Sequence, residues 1–222
     1  MSKRSVIISA GGVGKRMGAA IPKQFLLLNG KPIIMHTINR FLAFDAEMEV
    51  IIVLPKDQIE AWKAYCDKYQ FTPVHKVVVG GAERFHSVKN GLAAVTGNWV
   101  AVHDAVRPLV STAVLKNCFT AVEKELAVVP VLPPKQSLRK VNNEGSVAVD
   151  RSQFVMVQTP QCFSLDVLKN AYSLPYESNY TDDASVVERS GVSITLVAGN
   201  EENIKITTPM DLQWANFLLN HE

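Results

Sequence analysis

The chain has 222 residues, 47% of them hydrophobic and 20% charged, which suits one globular body with a full core. A formal charge of +2 gives no footing for a nucleic-acid surface, so any basic function must come from local clusters. Three widely spaced cysteines, Cys66, Cys118 and Cys162, with no CxxC among them, speak against a disulfide framework or a zinc site. No apolar run reaches membrane-spanning length, and the apolar part of MSKRSVIISAGG is too short for a signal peptide. A soluble cytoplasmic protein with no membrane partner is the expectation.

The first predicted strand is the apolar run VIIS at 6–9, and it leads directly into SAGGVGKRMG at 9–18, with PKQF following at 22–25. Two common nucleotide fingerprints fail on this loop. Gly12 and Gly14 fit a dinucleotide G-x-G-x-x-G, but Met17 occupies the third glycine's place. A Walker A reading would need Gly at 9 and Ser or Thr at 16, where the chain has Ser9 and Arg16. The physics of the stretch still points to phosphate. Glycines let backbone N–H groups approach phosphate oxygens, and Lys15, Arg16 and Lys23 supply positive charge with no carboxylate among them. A strand-to-helix turn with exposed basic residues is the competing reading.

Further along, helix 33–44 follows Pro32, and strand 50–54 leads to helix 56–69 behind Pro55. In that helix Ile59, Trp62, Cys66 and Tyr69 fall on one apolar face. Strand 76–79 is followed by GGAERFHS, with Gly80, Gly81, Arg84 and Ser87, and then by helix 84–95. Strand 99–103 is followed by DAVRP, with Asp104 and Arg107, and then by helix 111–124, which opens on the cap candidate Ser111. Strand 126–132 completes the series, and all these strands read as buried on both faces. The alternation predicts an α/β fold with a mostly parallel sheet, whose ligands sit beyond the carboxyl ends of the strands. An aspartate there suits Mg²⁺ or a substrate hydroxyl; a helix cap or a salt bridge to Arg107 competes. His103 reads as a core or supporting residue, and no G-x-S-x-G or HExxH favours a hydrolase.

The segment 133–154 breaks the alternation. SLRKV and SVAVD flank the turn signal NNEG, which predicts a β-hairpin too polar for the core. It either packs on another subunit or stands in solvent. The chain ends on a capped helix, with Thr208 before Pro209 and then Leu212, Ala215, Phe217, Leu218 and Leu219.

Taken in order, SAGGVGKRMG, PKQF, GGAERFHSV, HDAVRP, VDRSQF, QTPQCF, TDDAS and ENIKITTP resemble the methylerythritol phosphate cytidylyltransferase family over nearly the whole chain. The resemblance implies a nucleotide-diphospho-sugar transferase-like fold in a single domain over 1–222, with 133–154 as an inserted arm that interlocks a homodimer. It implies an enzyme that transfers CMP from CTP to 2-C-methyl-D-erythritol 4-phosphate with Mg²⁺, releasing pyrophosphate. Carried over by position, Ala10, Gly11, Gly12, Gly14, Lys15, Gly81, Ala82, Ser87 and Ala105 would hold CTP, and Arg16 and Lys23 would act at the reacting phosphate. Asp104, Arg107, Thr159 and Lys205 would bind the acceptor, with Ser137 and Arg151 reaching across from the partner's arm. No protein side chain is expected to be a firm metal ligand, with Asp104 the candidate.

Three positions depart from the family pattern. Ala82 replaces the usual acid of GGDER, which puts the basis of cytosine selectivity on backbone groups. Ser9 and Ser137 stand where proline and threonine are common. Three other readings compete: a ribitol 5-phosphate cytidylyltransferase, a non-catalytic nucleotide-binding regulator, and a dinucleotide oxidoreductase. Arg16 and Lys23 speak against the regulator. Met17 and the missing ribose acid speak against the oxidoreductase.

Overall fold

The computed structural model describes residues 3–12 and 21–221. Strand β1 (Arg4–Ser9) buries its four central residues completely. A 3₁₀ turn over Lys23–Phe25 and a small ribbon of β2 (Leu27–Leu28) and β3 (Lys31–Pro32) then lead to α1 (Ile33–Phe44). The predicted alternation follows as β4 (Glu49–Leu54), α2 (Ile59–Lys68), β5 (Lys76–Val79), α3 (Arg84–Leu92), β6 (Trp99–Asp104), α4 (Thr112–Glu125) and β7 (Ala127–Leu132). The hairpin is β8 (Leu138–Asn142) with β9 (Gly145–Val149), and the rest is β10 (Met156–Val157), β11 (Gln161–Ser164), α5 (Leu165–Ser173), α6 (Asp183–Arg189), β12 (Thr195–Ala198) and α7 (Pro209–Leu219).

The main sheet has eight strands. Its backbone order is β5-β4-β1-β6-β11-β7, with β10 beside the far end of β7 and β12 on the opposite edge of β7. β1 pairs in parallel with β4 on one side and β6 on the other, so the chain reverses its direction of travel across the sheet there. Such a switch point opens a crevice beyond the carboxyl ends of the two strands. β11 runs antiparallel between β6 and β7.

Alternate side chains of β1 feed opposite layers. Val6 and Ile8 join Phe41, Trp62 and Phe119 under α1, α2 and α4. Ile7 joins Phe85, Val88, Leu168 and Tyr172 under α3 and α5. A third cluster seats α7 through Ala215 against Leu28, Ile33, Val106 and Ile206. That helix starts as predicted, with Pro209 in its first turn and a capping box between Thr208 and Asp211. A cap of this kind is worth about 1 kcal/mol.

Four expectations need adjusting. β5 is a sheet edge, not a strand buried on both faces, and Val79 is 43% exposed. The helix expected over 56–69 starts as a 3₁₀ turn over Lys56–Gln58 and ends at Lys68. α3 stops at Leu92 rather than 95, where the chain turns back with Val95 N–H on the Leu92 carbonyl. The strand expected over 126–132 begins at Ala127, because Leu126 adopts a left-handed backbone that caps α4. Among the described residues no helix is long and apolar enough to cross a membrane.

Candidate active site

A cavity of about 260 Å³ opens at the switch point. Three strand ends build it. After β1, the Ala10 N–H donates to Val53 O at 3.0 Å, which turns Ala10, Gly11 and Gly12 onto the cavity wall. After β5, the Gly81 N–H donates to Ser87 Oγ at 3.0 Å, folding Gly81 and Ala82 back over the first turn of α3. After β6, the Ala105 N–H donates to Ser9 O at 3.1 Å, placing Asp104 and Ala105 beside the glycine loop.

Lys23 reaches the same wall from its 3₁₀ turn. It lies across Gly12: a methyl group at Gly12 would come within 3.0 Å of the lysine Cε. Its neighbour Gln24 is buried and donates from Nε2 to the Ala10 carbonyl at 2.7 Å and to Gln58 Oε1 at 2.6 Å. Gln24 therefore ties the glycine loop to the end of β4.

A second cavity, of about 310 Å³, adjoins the first. Arg107, Thr159 and Gln161 line it, and it shares Arg84, Asp104 and Lys205 with the first. Asp104 Oδ2 receives Arg107 Nε at 3.0 Å and Lys205 Nζ at 3.1 Å. Burial alone would push the Asp104 carboxyl up, but Lys205, Arg107 and Arg84 outweigh it and hold the group well below the usual carboxylate range. The salt bridge weighed as the plainer role of Asp104 is thus present, at the mouth of both cavities. Arg107 also donates from Nη1 to Asn203 O at 2.7 Å. Thr159 Oγ1 lies 3.0 Å from His103 Nδ1 and accepts from the Asp104 N–H at 3.2 Å.

Arg84 grips Asp183 with both arms of its guanidinium, at 2.7 and 2.6 Å. Asp183 is fully buried and also accepts from the Tyr172 hydroxyl at 2.6 Å. This strut fixes Arg84 where the cavities meet.

The sequence-predicted residues divide by cavity. Ala10, Gly11, Gly12, Lys23, Gly81, Ala82, Ser87 and Ala105 line the first, and Arg107 and Thr159 the second, while Asp104 and Lys205 face both. Ser137 and Arg151 line neither; Arg151 Nη1 donates to the Lys135 carbonyl at 2.6 Å. Gly14, Lys15 and Arg16 lie outside the described residues. Sequence reasoning gave no role to Gln24, Gln161, Asp183 or Asn203. Their motifs were visible, but nothing in PKQF or TDDAS says which polar side chain turns inward. Among the described residues no three His, Cys, Asp or Glu side chains converge as a metal site.

The family model for IspD, 2-C-methyl-D-erythritol 4-phosphate cytidylyltransferase, matches residues 5–221. The enzyme of that name from Bacteroides thetaiotaomicron is 49% identical over 218 residues, covering 98% of this chain and 100% of its own. The one from Porphyromonas gingivalis is 51% identical over 220 residues, covering 98% of each chain. Among solved structures, the 4-diphosphocytidyl-2C-methyl-D-erythritol synthase of Anaerococcus prevotii superposes with a TM-score of 0.84 at 27% identity, over 99% of this chain and 96% of its own.

Proposed function

The chain belongs to the 2-C-methyl-D-erythritol 4-phosphate cytidylyltransferase family, and on that premise we propose how its cleft divides the work of the reaction. The enzyme transfers CMP from CTP to 2-C-methyl-D-erythritol 4-phosphate, giving 4-diphosphocytidyl-2-C-methyl-D-erythritol and pyrophosphate. The carrying observation for the division is the wall of Arg84, Asp104 and Lys205 common to two adjoining cavities. CTP occupies the first cavity and the acceptor the second, so the two phosphates meet at that wall.

The acceptor's phosphate oxygen attacks the α-phosphorus of CTP in line, and pyrophosphate leaves. An ionised phosphate oxygen needs no general base, so the residues position and neutralise. Ala10, Gly11 and Gly12 bring backbone to the nucleotide, together with Gly14 and Lys15 of the same loop. Gly81, Ala82, Ser87 and Ala105 hold its other side. Lys23 and Arg16 stabilise charge developing on the α-phosphate. Arg107 and Lys205 take the acceptor's charge, and Asp104 orients its hydroxyls. Lys205 and Arg107 share the single carboxylate of Asp104, which leaves one positive charge in excess to meet phosphate.

Mg²⁺ fits this cleft as a companion of the triphosphate, since that ion keeps several waters and needs few protein ligands; Asp104 is the side chain that would meet its hydrated shell, and the ion supplies charge neutralisation when bound. The hairpin supports a homodimer in which Ser137 and Arg151 serve the partner's site. β8 and β9 pair only with each other among the described residues, and Val141 and Val147 are 77% and 55% exposed. Val141 and Val147 stand on opposite faces of the ribbon, so both faces are open to a partner chain. The three free thiols agree with a cytoplasmic setting.

The test is pyrophosphate release from CTP with methylerythritol phosphate and ribitol 5-phosphate offered in parallel. Methylerythritol phosphate should be turned over far faster; a preference for ribitol phosphate would overturn the acceptor assignment. Lys23→Ala should lower kcat on the order of a hundred- to thousandfold while leaving thermal melting unchanged. Near-normal turnover in the folded variant would remove Lys23 from the chemistry.

A further inference from the structure

We infer that His103 is a positioning residue of the acceptor pocket: it commits the Thr159 hydroxyl proton and so presents Thr159 to the substrate as a hydrogen-bond acceptor. The inference rests on the acceptor site proposed above. His103 is fully buried on β6, with the Phe41 ring edge-on at 4.9 Å. Its Nε2 lies 3.0 Å from the Arg107 carbonyl oxygen. A carbonyl can only accept, so Nε2 carries the proton. Its Nδ1 lies 3.0 Å from Thr159 Oγ1.

A second ring proton would create a cation without access to water. The ring is fully buried, and Arg107 and Lys205 already outnumber the one carboxylate of Asp104 beside it, so a further cation there is disfavoured. The neutral ring therefore offers a lone pair at Nδ1, and Thr159 must donate to it. A hydroxyl has one proton and two lone pairs. The proton is spent on His103, and one lone pair receives the Asp104 N–H at 3.2 Å. What remains is one acceptor position on a residue that lines the second cavity. Such a group repels a phosphate oxygen and suits a substrate hydroxyl. Phosphate is left to the cations Arg107 and Lys205, which gives the pocket a hydroxyl end and a phosphate end. The same ring holds the 104–107 turn, because its Nε2–H occupies the Arg107 carbonyl while the Arg107 N–H closes on Asp104 O at 3.1 Å.

Two substitutions separate the ring's two bonds. A glutamine amide can reach Arg107 O as Nε2 does but leaves nothing at Nδ1; an asparagine oxygen can replace Nδ1 but not Nε2. His103→Gln and Thr159→Val should each raise KM for methylerythritol phosphate about tenfold, the effect of one lost hydrogen bond, with KM for CTP moving less than about twofold. His103→Asn should keep more of the acceptor affinity than His103→Gln. Nitrogen NMR of the wild-type enzyme should show His103 protonated at Nε2 and bare at Nδ1, with and without methylerythritol phosphate. A proton on Nδ1 at neutral pH overturns the inference even if no variant folds. An unchanged acceptor KM in His103→Gln also overturns it when Lys205→Ala raises that KM. If neither Lys205→Ala nor Thr159→Val alters acceptor KM, it is the pocket assignment itself that fails.

Discussion

Gly81 shows how little room a single position in the nucleotide wall has. A Cβ there would stand 2.3 Å from the Cβ of His86, a backbone-anchored atom that no rotamer can move aside. Gly81→Ala must therefore lift the 80–83 loop off α3 and break the Gly81 N–H bond to Ser87. The expected result is a loss of about 1–3 kcal/mol in stability, read by urea unfolding, together with a raised KM for CTP and an unchanged KM for the acceptor. A variant with normal CTP affinity would show that the loop does not shape the nucleotide site. At this scale legibility was uneven. Lys23 could be read as a phosphate-facing cation from its place behind the glycine loop, and Asp104 as a partner for Mg²⁺ or a substrate hydroxyl from its place at a strand end, with a salt bridge to Arg107 competing. Thr159 and Lys205 entered only through the family pattern, since 55 residues separate Thr159 from Asp104, to whose N–H it bonds, and no local rule joins them. Gln24 and Asp183 stayed silent, because a buried hydrogen-bonding role leaves no periodicity or composition signal.

The elements that could be read were those with one strong local rule. Buried Val and Ile runs between helices predicted β1, β4, β6 and β7, and NNEG predicted the β8–β9 turn. The antiparallel β11 was missed: QCFS is short, begins with a buried polar residue, and takes its place from the gap between β6 and β7 rather than from its own pattern. The hairpin is the element whose purpose depends on a second chain. Its strands are exposed on both faces, and among the described residues its Arg151 side chain reaches the Lys135 carbonyl. If the arm serves the partner's cleft, Arg151→Ala and Lys23→Ala chains disable complementary halves of a site. Each heterodimer then carries one intact site, and an equal mixture should recover about a quarter of wild-type turnover. Heterodimers demonstrated by mass spectrometry but without recovered pyrophosphate release would place the whole site in one chain.

Across the whole molecule, acid removes stability in two stages, a histidine stage first and a carboxylate stage from about pH 4.5 downward, to which Asp104 at the carboxyl end also contributes. At the carboxyl end, His103 titrates at about 4 in the folded chain against 6.5 when unfolded. The unfolded chain thus binds the extra proton first as pH falls, so stability is full above 6.5 and declines toward pH 4, by about 3 kcal/mol. His36 is shifted the same way, chiefly by burial, and adds to the decline. At the amino end, Glu49 binds Ser5 Oγ at 2.6 Å, Lys76 Nζ at 2.8 Å and the Thr96 N–H at 2.8 Å, joining β1, β4, β5 and the approach to β6. Burial works upward on its carboxyl, but those donors prevail and bring it down to about 2, from 4.5. Its contribution is therefore present above pH 4.5 and lost as pH falls from there toward 2. Urea unfolding from pH 8 to 3 should show a gentle loss above pH 4.5 and a steeper one below it. Glu49→Gln should lower neutral-pH stability by about 1–3 kcal/mol and flatten only the steep limb, leaving kcat unchanged because Glu49 is at the opposite end of the strands from the cleft. His103→Gln should flatten only the gentle limb. A wild-type curve that is level from pH 6.5 to 4.5 would mean that His103 takes its proton in the folded protein as readily as in the unfolded one, and the histidine stage would be absent.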